Sequence, residues 1–409
     1  MSLIYLSTIK TGSLICNMKK RLKRPYRMIL KTVIALSFLF ALKWLWVTIS
    51  TIGHGSYEGE KTEILRRRNY LTNKLVSSPD IVLSEMPGGI GSHFQGEWAM
   101  YSCSMLSASL VNISLLFPEE RKNTIEKIDR LIEIVMSPEL RKYDADRWGE
   151  DPLDSWDSEK SHMSYLSILA WMISGYKTVG GGDKYDGLYY RLCNTLNWRM
   201  RNSPTLNLQT YPNEVVYIPD MLVTIVALSN FTWLCDDRYK STITEWVNIA
   251  KNEWTDKETG LLKSFLDYDG AELTAPVKGS YSALICYYLT FVDESFAREQ
   301  YSLLKKYFKQ SHPITGIEEY YDRSCWLGMD IDSGPIIFNL SPSGTAFAIG
   351  PATFFEDTDF RKSLLKTAEI AGNTVRGWNT NHYLLANVAL VGEAITLAMR
   401  TCVPWHSNS

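Results

Sequence analysis

From residue 60 onward, apolar residues recur at helical spacing and alternating strand patterns are scarce. The period predicts twelve helices, near 60–77, 97–117, 119–136, 161–179, 184–202, 219–235, 237–254, 279–292, 293–310, 341–355, 357–372 and 381–400. Every second helix is apolar on nearly all sides, as in "MYSCSMLSASLVNISLLF", "SYLSILAWMISGY" and "MLVTIVALSNFTWL". Most of the others carry charges at helical intervals, as in "PEERKNTIEKIDRLIEIVM" and "FAREQYSLLKKYFK". A helix with no polar face must be covered all round, so it needs like helices beside it and an amphipathic helix outside it. The apolar helices start near 97, 161, 219, 279, 341 and 381, roughly every sixty residues until the last, which is a structural repeat without visible sequence identity. The pattern predicts an all-α fold, an (α/α)6 toroid of six helical hairpins over 58–402. An ordinary helical bundle is the alternative.

Ahead of this domain, "MKKRLKRPYR" (18–27) precedes "MILKTVIALSFLFALKWLWVTIS" (28–50). The second stretch is long enough to cross a hydrocarbon core of ~30 Å as a helix. Lys31 and Lys43 lie towards its ends, where they can snorkel, and Trp44 and Trp46 suit the interface. The basic cluster precedes the span, and the charges after it are mixed. The positive-inside rule therefore expects residues 1–27 in the cytoplasm, 28–50 as a single-pass signal anchor and the main domain exported. A cleaved signal peptide is the rival, but no small-x-small cleavage site follows the apolar run. Met18 is an alternative start. The lipid bilayer is thus one expected partner. A formal charge of −2 and a pI near 6.3 give no footprint for nucleic acid. Seven cysteines show no metal-ribbon spacing.

Segments 78–96, 137–160, 203–218, 255–278 and 311–340 all lead into apolar helices, whereas the turns leaving them are short. Loops of more than a dozen residues in a compact domain are usually functional. In the expected topology they gather on one face. The polar residues of that face precede or open the apolar helices: "GSHFQGEWAMYS", "DSWDSEKSHMSY", "YPNEVVYIPD", "PVKGSYS", "DIDSGPIIFNLSPSGTAFAIG" and "NTNHYLLANV". Glu97, Tyr101, His162, Tyr165, Asp220 and Asp332 are the candidate catalytic groups. His93, Trp98, Tyr211, Tyr217, Tyr281, His382 and Tyr383 are the candidate substrate-binding groups. Each also has a structural role open to it: Asp220 and Ser341 suit helix caps, and Glu97 complements a helix dipole. Convergent acids, bases and tyrosines in an aromatic pit suit general acid–base catalysis on a small molecule or glycan. The acid-rich run 144–159 lacks the EF-hand pattern and reads as a solvated loop. A metal site from His93, His162 and His382 is the remaining alternative. No Walker A or dinucleotide fingerprint occurs, so no cofactor is expected.

The segments "GEWAMYS", "SHMSYL" with downstream "GGDKYDGLY", "YPNEVVYIPD" and "DSGPIIFNLSPSGTAFAIG" resemble the linalool dehydratase/isomerase-like superfamily, over about residues 70–400. The resemblance implies an (α/α)6 fold. It also implies proton transfer by an aspartate, a histidine, tyrosines and a cysteine pair during water loss and allylic rearrangement. His162 would take the histidine role, with Tyr101 and Tyr165 among the tyrosines. The chain departs from this set at the cysteines, since Cys325 stands alone on the long-loop face. Only the acid–base lyase or isomerase class carries over. Two further readings remain. One is a glycoside hydrolase or polysaccharide lyase using Glu97 or Asp220 with Asp332. The other is a non-enzymatic envelope binding or assembly protein.

Overall fold

The computed structural model describes residues 5–50, 57–312 and 314–406. The chain divides into two units, Met1–Ile52 and Gly53–Ser409. The first contains helix α1 (Tyr5–Ser50), in which Met28–Ile49 is long and apolar enough to cross a membrane and is almost wholly uncovered. Residues 1–4 and 51–56, at the edges of the expected segments, lie outside the described residues.

The second unit is mostly helical. It contains α2 (Tyr57–Leu75), α3 (Pro79–Ser84), α4 (Ser92–Leu116), α5 (Arg121–Val135), α6 (Pro138–Trp148), α7 (Met163–Thr178), α8 (Asp186–Asn202) and α9 (Ile218–Leu234). These are followed by α10 (Lys240–Glu253), α11 (Gly279–Leu289), α12 (Glu294–Phe308), α13 (Pro342–Phe354), α14 (Thr358–Gly372) and α15 (Leu390–Arg400). The apolar helices α4, α7, α9, α11, α13 and α15 pack each on the next, and α15 packs in turn on α4. The amphipathic α5, α8, α10, α12 and α14 each cover the apolar helix before them, while α2 covers both α15 and α4. Helix α4 also passes a length-and-composition test for a membrane span, but 83% of its apolar window is buried, as expected of a core helix.

Local chemistry sets the helix boundaries. Ser341 caps α13 by accepting the Gly344 N–H at 3.0 Å, with Pro342 at the first helical position. Asp293 and Asp357 cap α12 and α14 in the same way. Gly180 ends α7 with φ 85°, and Gly181 N–H bonds back to Tyr176 at 2.8 Å, a turn open to glycine without strain.

Three features differ from the sequence reading. Helices α3 and α6 form inside segments expected to be loops, the second under a Ser137 cap with Pro138 behind it. The segment before α13 makes a small antiparallel sheet, in the order Lys309–Gln310, Gly316–Glu318, Leu340–Ser341, Gly334–Ile337 and Leu327–Asp330. The last apolar helix, expected over 381–400, starts at Leu390. Asn381–Tyr383 instead pairs with Thr374–Arg376 as a hairpin, followed by a turn at Leu384–Asn387. Asn373, at φ 53°, directs the chain out of α14 into that hairpin.

A buried ionic cluster joins the two ends of the domain. Glu60 of α2 accepts from Arg361 of α14 at 2.5 Å and from Arg400 of α15 at 2.6 Å. Two turns further along, Arg67 pairs with Glu393 of α15 at 2.7 Å and with Glu63 at 2.8 Å. Burial alone would raise the Glu60 carboxyl, but Arg400 and Arg361 outweigh it and hold it down at about 2. Its contribution to stability is therefore fully present above the ordinary value of 4.5 and is lost as pH falls towards 2. Glu60→Gln, which leaves two buried guanidiniums short of a counter-charge, is expected to cost ~3–5 kcal/mol. Chemical denaturation near pH 7 measures this, and the difference from the parent should shrink in acid.

Candidate functional site

A cavity of about 1110 Å³ opens among the first turns of the six apolar helices. It takes Glu97, Trp98 and Tyr101 from α4, Ser164 and Ser167 from α7, and Asp220 and Val223 from α9. Helix α11 adds Ser280 and Tyr281, α13 adds Thr345 and Phe347, and α15 adds Glu393 and Ile395. The burial pattern marks the face concerned. In α4, every residue from Gly96 to Ser114 is buried except Glu97, Trp98 and Tyr101, and in α9 Asp220 is the single break between Ile218 and Phe231. Connecting segments complete the wall with Arg147, Tyr211, Glu214, Tyr217 and the turn Ile331–Pro335. Most of the remaining lining is apolar, from Phe94, Ile168, Leu284, Ile337, Phe338 and Val391.

Asp220 is a strongly perturbed carboxyl of the cavity wall. Burial raises it to about 7, with the negative neighbours Glu97, Asp332 and Glu214 adding to the rise and the Thr210 hydroxyl opposing it. Thr210 donates to Asp220 Oδ2 at 2.8 Å. Glu97 lies deep in the protein yet keeps a third of its side chain open to the cavity. Burial raises its carboxyl too, but the nearby Tyr211 hydroxyl and the Arg147 guanidinium offset part of that rise. Arg147 Nη2 lies 3.3 Å from Glu97 Oε2, and its guanidinium stacks 3.5 Å from the centre of the Tyr211 ring. Tyr281 donates to Asp332 Oδ2 at 2.7 Å, and Tyr217 to Glu214 Oε2 at 3.0 Å. Burial also pushes Asp332 up, with the Tyr281 hydroxyl opposing the rise and Asp330 adding to it. Tyr101 shares a 3.1 Å hydroxyl contact with Tyr288.

The "DIDSGP" turn serves to aim Asp332. Asp330 does not enter the cavity; its Oδ2 pairs with Lys278 Nζ at 2.5 Å and its Oδ1 accepts the Asp332 backbone N–H at 3.0 Å. Gly334, at φ 74°, completes the reversal between the two strands.

Nine of the thirteen sequence candidates line the cavity: Glu97, Trp98, Tyr101, Tyr211, Tyr217, Asp220, Tyr281, Asp332 and Tyr383. Four do not. His162 is fully buried at the head of α7, where its backbone is left-handed at φ 46°, with Nδ1 2.5 Å from Asp144 and Nε2 3.3 Å from Glu150. Tyr165 is buried and donates to the Val135 carbonyl at 3.1 Å. His93 is exposed, and His382 stacks on Tyr70 with ring centres 4.0 Å apart. The three histidines therefore assemble no metal site, and among the described residues no group of three or more His, Cys, Asp or Glu is placed to hold a metal ion. None of the six described cysteines lines the cavity. Sequence reasoning missed Arg147, whose helix α6 lay in a run read as a solvated loop. Its signal was the Ser-Pro start at 137–138.

The raised carboxyl makes a stability statement. Asp220 is neutral in both folded and unfolded chains below its ordinary value of 3.8 and costs stability as pH rises from there through about 7. Asp220→Asn, which still accepts from Thr210, is expected to match the parent near pH 4. Near pH 8 it should be more stable by up to on the order of 3 kcal/mol, as read by denaturant melts across pH. No protein-family model matches the chain, and no curated protein sequence matches it.

Proposed function

We propose that the chain is a membrane-anchored acid–base enzyme, its exported domain an (α/α)6 toroid. The circuit of helix contacts from α4 to α15 and back supports the toroid, and the basic stretch ahead of an uncovered apolar span supports the anchor and its orientation. The reaction would be of the lyase or isomerase type implied by the resemblance to the linalool dehydratase/isomerase-like superfamily. The substrate would be a largely apolar small molecule bearing a hydroxyl group. The observation that carries this reading is Asp220, a carboxyl raised to about 7 in a cavity walled largely by apolar and aromatic side chains.

The acid and base roles follow from unequal environments. Among the described residues Asp220 forms no ion pair, and it holds its proton near neutrality. Glu97 has Arg147 at 3.3 Å, which favours its ionised form. Protonated Asp220 donates to the substrate hydroxyl, the C–O bond breaks and water departs. Glu97 takes a proton from the adjoining carbon, and the C–H electron pair forms the new double bond. The faces of Trp98 and Tyr101 attract the positive charge that develops between these steps. In the isomerase direction, water returns to the other end of the allylic system and loses its proton to a carboxylate. His162, buried behind α6, takes no part, so Asp220 fills the role that the resemblance gives to a histidine.

A second reading has a specific observation in its favour. Glu97, Asp220 and Asp332 face Trp98, Tyr211, Tyr217 and Tyr281, a carboxylate and aromatic lining that also suits a sugar. The discriminating experiment incubates the full-length protein with short allylic isoprenoid alcohols and, in parallel, with aryl glycosides and oligouronides, followed by product analysis. Dehydration or isomerisation of an alcohol is expected. Asp220→Asn and Glu97→Gln should each lower it by ~10²–10⁴-fold without loss of fold, and the rate should fall as pH rises past about 7, where Asp220 loses its proton. Cleavage of a glycoside with no alcohol turnover would transfer the assignment to the second reading, and inertness towards both would favour a binding role.

A further inference from the structure

We infer that the floor of the cavity is a second binding subsite, where Tyr101 donates a hydrogen bond to a neutral oxygen at the far end of the substrate. The inference rests on the proposed function and deepens it by naming the substrate class. That class is an apolar molecule with the reacting hydroxyl at one end and a hydroxyl or carbonyl oxygen at the other.

The donor follows from counting protons. Tyr101 lines the cavity and stays partly exposed, whereas Tyr288 behind it is 1% exposed and forms no part of the wall. Their hydroxyls lie 3.1 Å apart, and either atom could be the donor. One bond between two hydroxyls uses one proton and leaves the other to find an acceptor. Among the described residues neither hydroxyl has another hydrogen-bond partner. If Tyr101 donated, the Tyr288 proton would be orphaned where water does not reach, which costs free energy. Tyr288 is therefore the donor, and the Tyr101 proton is directed into the cavity. A hydroxyl that accepts one hydrogen bond is strengthened as the donor of the next. Tyr288 is thus a positioning residue for Tyr101.

Depth separates this donor from the carboxyls. Glu97 precedes Tyr101 by one turn on α4, and Tyr281, which bonds Asp332, precedes Tyr288 by two turns on α11. The tyrosine pair therefore lies ~6–10 Å deeper along the helix axes. A hydroxyl held at Asp220 and Glu97 leaves Tyr101 to a different atom of the same molecule. Beneath the pair, Trp171 meets Tyr288 edge-on with ring centres 5.7 Å apart, and Tyr287, Phe291 and Trp405 pack around them. This aromatic plug closes the floor, so the far end of a ligand stops at Tyr101.

The surroundings select a neutral oxygen. Arg147 is the only basic side chain among the described residues of the wall, and it stacks on Tyr211 beside Glu97. A carboxylate at Tyr101 would lose its hydration with no cation to replace it. A hydroxyl or carbonyl oxygen loses less and gains the donor.

The test measures the affinity of full-length protein in detergent for octane-1,8-diol and octan-1-ol by calorimetric titration. Neither alcohol is allylic, so binding is read without turnover. Tyr101→Phe is expected to weaken the diol about tenfold and to spare the mono-alcohol, which keeps its hydroxyl among the carboxyls. Tyr288→Phe should weaken the diol several-fold and spare the mono-alcohol too. Detergent takes up each ligand alike for parent and variant, so these ratios do not depend on it. Equal losses for both ligands, or no loss for either, would overturn the subsite. Tighter binding of 8-hydroxyoctanoate than of the diol would overturn its neutral class, and diol binding unchanged in Tyr288→Phe would overturn the positioning role. A parent that binds neither alcohol would sink the subsite and the apolar-alcohol reading together. Binding of both without discrimination at Tyr101 would sink the subsite alone and leave the activity assay to judge the proposed function.

Discussion

The buried pairing of Glu60 with Arg361 and Arg400 fixes the arrangement on which the rest depends. Each apolar helix up to α13 is followed in the chain by an amphipathic helix that covers it. Helix α15 is the last of the described helices. Its cover comes from the other end of the domain, where α2 packs on it across more than three hundred residues of sequence. Apolar contact alone would tolerate a slide of α2 by one turn along α15. Buried ions do not, because a carboxylate stripped of water and of its guanidiniums is far costlier than either pair in place. Arg67 with Glu393, two turns along, repeats the constraint. Once α15 is held by α2 and also against α4, the first turns of all six apolar helices face one volume, and the cavity follows.

The protein treats carboxylates in two opposite ways. Glu60 has two cations within 2.6 Å and is held at about 2. Asp220, in the cavity wall, has a hydroxyl for a partner and acidic neighbours, and rises to about 7. The first arrangement stabilises the fold. The second costs stability and supplies an acid that can give up its proton near neutrality. The "DIDSGP" turn contains both in miniature: Asp330 is neutralised by Lys278 and holds the turn, while Asp332 is turned inward beside Tyr281.

The cavity also bears on the resemblance to the linalool dehydratase/isomerase-like superfamily. Of the segments that carry the resemblance, Tyr101, Tyr211, Tyr217, Asp220 and Asp332 come together in the cavity, whereas His162 bonds to Asp144 of α6, Tyr165 turns to Val135 and none of the six described cysteines lines the cavity. An acid–base site built on carboxylates and tyrosines, with an apolar wall, is the part of that chemistry the proposed function retains.

Composition and period alone determined where most of the helices run, since a side chain's place on a helix repeats every 3.6 residues whatever surrounds it. They also placed Glu97 and Asp220 at helix starts and Asp332 in the long segment before one, where polar residues interrupt long apolar runs. Which of those residues face inward was decided only by tertiary packing. A helix start gives the height of a residue along the axis but not its azimuth, and neighbouring residues differ by about 100°. Ser164 therefore lines the cavity while Tyr165, next in sequence, turns to Val135. His382 was read at a helix start and sits in a strand pair, because hairpin bonds to Thr374–Arg376 claimed its backbone. Arg147 was hidden in an acid-rich run whose helical fold depends on packing against α4. The shift of Asp220 was likewise beyond the sequence, since it arises from desolvation and from acids more than a hundred residues away.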